Sequence, residues 1–140
     1  MAEIYQNHVI APTYFYDCIE EFSFDYNIYV VEKKEIDASG NVKRTYSKNA
    51  IRGSLQSQGV ELRQSKDGNT KEMRYNFYCK SLYRIDIGDI IEYKNRYLRV
   101  ESVKDFDEYG VRECSLLMVQ LTQYRDLADY IKYLQGEKLV

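Results

Sequence analysis

Residues 73–80 carry the sharpest pattern in the chain: Met73, Tyr75, Phe77 and Cys79 alternate with Arg74, Asn76, Tyr78 and Lys80. A period of two sends alternate side chains to opposite faces, so the segment predicts a strand with one face on a core and one toward solvent. Weaker versions recur on both sides. Residues 28–36 (IYVVEKKEI) are rich in β-branched residues and predict a strand. The cluster Asp37-Ala38-Ser39-Gly40-Asn41 predicts a turn, with Gly40 able to take positive φ. Residues 42–49 can then pair back as a hairpin, and residues 50–55 (AIRGSL) predict another short strand, with Gly53 as a possible bulge. Further on, Ile90-Ile91-Glu92-Tyr93, the tight turn Lys94-Asn95-Arg96, residues 97–103, the acidic turn Asp105 to Gly110 and residues 111–120 read as strand, turn, strand, turn, strand. Short strands separated by turn signals predict a small antiparallel sandwich or barrel.

The two ends read differently. Pro12-Thr13 can open a short helix carrying Phe15, Cys18, Ile19 and Phe22 on one face, although so aromatic a stretch also suits an extended arm. At the other end, Leu127, Tyr130, Ile131 and Leu134 fall at i, i+3, i+4 and i+7, which predicts a helix with Thr122 as N-cap and Gly136 as C-cap. Its apolar stripe suits packing on the sheet or docking on a neighbouring subunit. Between the strands, residues 56–71 (QSQGVELRQSKDGNTK) hold few large apolar residues and a Lys66-Asp67-Gly68-Asn69 turn signal. They fit either a long exposed hairpin or a mobile loop. The resulting organisation is an arm or short helix over 1–27, a β-barrel domain over 28–121 with a long loop at 56–72, and a C-terminal helix over 122–140. The fold class is mainly β: a small antiparallel barrel or sandwich with a C-terminal α-helix and a short N-terminal extension.

Composition sharpens this picture in three places. A chain of 140 residues has material for one core. A net charge of −2 disfavours a dedicated duplex-DNA binder, which usually carries a basic domain. The aromatic content is unusual, with 15 Tyr, 5 Phe and no Trp, a bias that suits both strand surfaces and protein interfaces. No apolar run is long enough for a membrane span, and the N-terminus lacks the basic-then-apolar order of a secretory signal.

Candidate chemistry is sparse. Cys18, Cys79 and Cys114 are far apart, no CxxC occurs and His8 is the only histidine, so neither zinc nor a disulfide framework is expected, and buried free thiols are. No nucleophile elbow, phosphate-binding loop, dinucleotide fingerprint or zinc-protease motif is present, and no cofactor and no enzymatic activity are expected. Asp105, Asp107 and Glu108 lack the spacing of an EF-hand loop and read as a solvated turn. Asp86 and Asp89 form a carboxylate pair whose commoner use is to cap a turn. Interleaved Arg74-Tyr75, Tyr83-Arg84, Arg96-Tyr97 and Tyr124-Arg125 can stack single-stranded bases on an OB-like barrel, or furnish a protein interface. The overall acidity favours the protein interface.

One order of segments is familiar. Tyr29-Val30-Val31 leads to the turn Asp37-Ala38-Ser39-Gly40. Ala50-Ile51-Arg52-Gly53-Ser54-Leu55 and a polar excursion follow, then the strand Arg74 to Cys79. The block from Ile85 through Gly88-Asp89-Ile90-Ile91-Glu92-Tyr93 to Tyr97-Leu98-Arg99-Val100 precedes a last apolar strand. This resembles the head-tail joining proteins of tailed bacteriophages, also termed head-closure or stopper proteins, over residues 28–120 and most closely over 85–103. The resemblance implies a non-enzymatic virion protein of the neck, or a related tail-completion protein. It would form a homo-oligomeric ring between portal or adaptor proteins above and tail proteins below, contact packaged DNA non-specifically at the channel, and involve no membrane. It further implies a channel-facing loop at residues 63–72, around Lys66, Asp67, Gly68, Asn69 and Lys71. The N-terminal aromatics Tyr14 and Phe15, with Tyr124, Tyr130 and Tyr133 of the terminal helix, become candidates for the faces between ring subunits.

Overall fold

The computed structural model describes residues 22–65 and 68–139. Six strands come in order: β1 Phe24–Ile36, β2 Val42–Ser65, β3 Gly68–Lys80, β4 Ile90–Tyr93, β5 Arg96–Phe106 and β6 Val111–Val119. Helix α1, Arg125–Leu139, follows, and single 3₁₀ turns occupy Asp107–Tyr109 and Leu121–Gln123. Every strand pair is antiparallel, and the order β1-β2-β3-β6-β5-β4 closes on itself as β4 pairs with β1 through Asn27↔Glu92, Ile28↔Ile91 and Tyr29↔Ile90. The predicted β fold is therefore a closed barrel.

The period of two fills the interior. Ile28, Val30, Ile51, Tyr75, Phe77, Cys79, Ile91, Leu98, Val100, Cys114 and Leu116 form one buried cluster, with Met73 packed against its edge. Tyr26, Tyr75, Phe77 and Tyr93 meet edge-to-face at one end, with ring centroids 5.9–6.4 Å apart. A second cluster lies on the outer wall, where Tyr29, Tyr46 and Ile90 meet Tyr124 and Leu127, with Tyr130, Ile131 and Leu134 packed around them. The stripe of α1 thus covers the barrel wall, which explains why Tyr29 and Ile90 are buried although their neighbours Ile28 and Ile91 already occupy the interior.

The turns follow residue type. Lys94 and Asn95 both take positive φ (47° and 64°), which gives a two-residue hairpin whose twist matches the flanking strands. Gly88 has φ 96°, and its N–H reaches the Val100 carbonyl at 2.9 Å. Added side-chain atoms would meet nothing within 4 Å there, so replacement costs backbone strain alone. Gly88→Val is expected to destabilise by about 1–3 kcal/mol, read in thermal unfolding, with the fold retained. An unchanged melting temperature would refute the strain.

Several boundaries differ from the sequence reading. Residues 42–49 and 50–55 belong to one 24-residue strand, because β2 pairs without a break with β1 from Val42 to Gly53 while β3 takes over at Gly53↔Cys79. Gly53 is no bulge; the bulges fall at Val31/Lys33, Ser57/Gly59 and Val100/Ser102. Of the two readings of residues 56–71, the hairpin is what forms, in place of a long loop at 56–72: β2 and β3 pair from Ser57↔Tyr75 out to Ser65↔Gly68. Its polar residues satisfy their backbone groups across the ribbon, which needs no apolar side chains. Thr122 sits in a 3₁₀ turn, not at an N-cap, because residues 121–124 curl to seat Tyr124 against the wall before α1 starts at Arg125. Gly136 lies inside α1 and not at its C-cap, since nothing there demands a left-handed residue. The first strand begins at Phe24, four residues before the expected boundary, and the proposed helix at Thr13 lies outside the described residues.

Candidate interaction surfaces

The pairing registers show where the sheet stops being a barrel. β3 meets β6 only from Arg74↔Leu117 onward, and β1 leaves β2 at Phe24↔Gly53. From Val60↔Met73 to Ser65↔Gly68 the two strands pair, among the described residues, with each other alone. At about 3.3 Å per residue this two-stranded ribbon extends roughly 20–25 Å past the barrel. Of the channel-loop candidates, Gly68, Asn69 and Lys71 lie in the β3 arm, opposite Ser65, Gln64 and Leu62, while Lys66 and Asp67 lie outside the described residues.

The interface candidates separate. Tyr124 is 8% exposed, and its hydroxyl accepts a hydrogen bond from Arg99 Nη1, whose other terminal nitrogen donates to Glu101 at 2.7 Å. The Arg44 guanidinium lies 5.4 Å from the centre of the Tyr124 ring. Tyr130 packs edge-to-face on Tyr29. Both residues therefore serve the seam between α1 and the wall. Tyr133 is 60% exposed on the outside of α1, and Tyr14 and Phe15 lie outside the described residues.

Asp126 completes the seam. Its Oδ2 accepts the Arg44 backbone N–H at 2.9 Å and Arg44 Nη1 at 3.3 Å, and Tyr46 Oη reaches Oδ1 at 3.4 Å. Burial, aided by the Asp126 charge, holds the Tyr46 phenol neutral well above its ordinary titration range. Sequence reasoning missed Asp126 and Arg44, which are 82 residues apart and carry no local signature.

Among the described residues, Asp89, Cys79, Cys114 and Asp105 are bound into the scaffold. Asp89 is 1% exposed; its Oδ1 accepts the Val31 N–H at 3.0 Å and its Oδ2 accepts the Asp86 N–H at 2.9 Å. It fastens the loop after β3 to β1, and Asp86 contributes a backbone amide, not a second acid. Cys79 and Cys114 are buried free thiols hydrogen-bonded to each other, and that bond, with burial, pushes the Cys114 thiol upward. Asp105 is held by Arg112 Nε at 2.7 Å, and among the described residues no group of three or more His, Cys, Asp or Glu is placed to hold a metal ion.

In two of the four Arg/Tyr pairs the ring is buried in the fold. Tyr75 lies inside the barrel with its hydroxyl bonded by Arg96 Nη1 at 2.9 Å, and Tyr124 lies under α1. Arg74 is paired with Glu72 at 3.1 Å and Arg84 with Glu32 at 2.9 Å. The Tyr75 and Tyr124 rings are spent on packing, and Arg74 and Arg84 each pair with a nearby carboxylate. Among the described residues, no helix is long and apolar enough to cross a membrane.

Comparison with known proteins gives a likeness of fold. No protein-family model matches the chain, and neither does any curated protein sequence. A chain of the solved structure titled "Virion of native gene transfer agent (GTA) particle" superposes with a TM-score of 0.56 at 10% sequence identity, over 69% of this chain and 94% of that one. Nearly the whole of that chain is matched, so this protein shares its fold with a component of a gene transfer agent virion.

Proposed function

We propose that this protein is a non-enzymatic structural component of a phage-like virion, forming a ring in the neck between portal and tail and helping to retain packaged DNA. The observation that carries the reading is the β2–β3 ribbon, which leaves the barrel at Gly59↔Arg74 and stays paired to Ser65↔Gly68. A ring would bring many copies of it to one axis, where modest contacts per copy sum to a barrier. Two further observations agree: the fold likeness to a virion component, and the Ile85–Val103 block that resembles head-tail joining proteins. A two-stranded ribbon can also bend, as a gate must when DNA passes.

Quantitative mass spectrometry of purified particles tests the reading. A fixed, ring-like ratio to the portal protein is expected, and absence from particles would overturn it. Excising residues 62–71 and closing the Glu61↔Glu72 pair with an Asn-Gly turn tests the ribbon. The shortened protein is expected to melt near the wild-type temperature and to enter particles, while those particles lose DNA. Particles that kept their DNA would remove the gating role.

A further inference from the structure

At the end of the barrel opposite the β2–β3 ribbon, two hairpins carry opposite charge. The β1–β2 hairpin beyond its bulge, residues 33–43, holds Lys33, Lys34 and Lys43 against Glu35 and Asp37, a net of +1, and the Arg44 that follows is neutralised by Asp126 of α1. The β5–β6 hairpin, residues 104–113, holds Lys104 and Arg112 against Asp105, Asp107, Glu108 and Glu113, a net of −2. In the closed order β1-β2-β3-β6-β5-β4, the β1/β2 pair and the β6/β5 pair are separated by one strand on either side, so the two hairpins stand on opposite walls. Each also exposes apolar surface. Ile36 and Val42, cross-strand partners, are 67% and 41% exposed, and Phe106 is 42% exposed. Each bears a shallow depression, of ≈ 430 Å³ beside Ile36 and Lys43 and of ≈ 330 Å³ beside Phe106 and Glu108.

We infer that these hairpins are the two halves of a head-to-tail interface, the basic β1–β2 hairpin of one copy seating on the acidic β5–β6 hairpin of the next. The occupant is a second copy of this chain, because the two surfaces are complementary in charge, each holds an apolar centre with a charged rim, and they lie on opposite walls. Two like hairpins would repel, so a symmetric dimer through either one is disfavoured, whereas a heterologous contact propagates into a ring or a filament. The inference rests on the ring reading above and assigns it to named surfaces. It also explains why Ile36, Val42 and Phe106 stay outside the core: apolar interface centres are buried only in the assembly.

A charge swap tests it on the full chain. Sedimentation velocity at low salt is expected to show concentration-dependent assembly of the wild type. Lys34→Glu with Lys43→Glu makes both hairpins acidic, and Asp107→Lys with Glu108→Lys makes both basic. Each double variant is expected to associate at least ~10-fold more weakly. All four side chains are exposed, so both variants should melt near the wild-type temperature. An equimolar mixture of the two is expected to recover assembly, since each altered hairpin then finds its opposite. A wild type that stays monomeric at millimolar concentration, variants that associate as well as wild type, or a mixture that stays dissociated would each overturn the inference. Particle mass spectrometry keeps the two proposals apart. Hairpin variants entering particles at the wild-type ratio would sink this interface and leave the virion role standing, and a chain missing from particles would sink the role alone.

Discussion

Asp89→Ala is expected to lower stability by about 2–5 kcal/mol, one of the two largest losses from any single substitution in this chain. The carboxylate is 1% exposed and accepts two backbone N–H groups, from Val31 in β1 and Asp86 in the loop before β4. Alanine leaves both donors buried without these acceptors, at roughly 1–3 kcal/mol each. Loss of the bond to Val31 also frees the loop from the strand at the point where β1 and β4 close the barrel. That junction rests on only the Asn27, Ile28 and Tyr29 pairs, so the cost reaches the seam of the fold.

The same substitution has a pH signature. Burial raises the Asp89 carboxyl above its ordinary value of 3.8, and the two amide hydrogen bonds only partly offset this. A carboxyl held high in the folded state binds its proton more tightly there than in the unfolded chain. Its contribution to stability is therefore full below about pH 3.8 and declines as the pH rises through the raised folded value. Chemical denaturation at several pH values should show the gap between wild type and Asp89→Ala widest in acid and narrower toward neutrality. A gap that grew with pH would mean the carboxylate form is the stabilised one.

Gly53→Val is expected to prevent stable folding, and Gly53→Ala to cost about 3 kcal/mol. A Cβ built on Gly53 falls on the Phe77 ring and 2.6 Å from the Tyr78 carbonyl oxygen. Phe77 is fully buried and the carbonyl is backbone, so neither can give way cheaply. The lower unfolded-state entropy of alanine returns only about 0.4–1 kcal/mol. Phe77→Leu vacates part of the space, so the double variant Gly53→Ala with Phe77→Leu should lose less than the two single losses added together. Urea unfolding of the four proteins measures that coupling. Strict additivity would show that the ring is not what excludes a side chain at position 53.

Local chemistry makes much of the fold legible in the sequence. Alternation over Met73–Cys79 marks a core strand because a pleated strand sends neighbours to opposite faces. The spacing of Leu127, Tyr130, Ile131 and Leu134 marks a helix with one apolar side. Gly88 and Asn95 mark reversals because they tolerate positive φ, and both adopt it. The candidate surfaces were less legible. A polar run at 56–71 reads alike as loop or ribbon, since the distinction lies in backbone bonds to a partner strand that no side chain announces. Tyr124 and Tyr130 read as interface aromatics, because nothing near them in sequence reveals that Arg99 and Tyr29 wait on the wall.

The sequence alone determined the class of elements, their order and most turns, because these depend on residues within a few positions of one another. The tertiary structure decided which strand closes on which, which tyrosines are spent on packing, and that Asp89 is a fastener between β1 and its own loop. It also decided that the ribbon stands clear at one end while a basic and an acidic hairpin face away from each other at the other. Several of these features depend on residues far apart in sequence meeting in space, as Val31 meets Asp89 across 58 positions and Arg44 meets Asp126 across 82. Such long-range meetings are fixed by closure of the barrel, a property of the folded chain as a whole that no local pattern encodes.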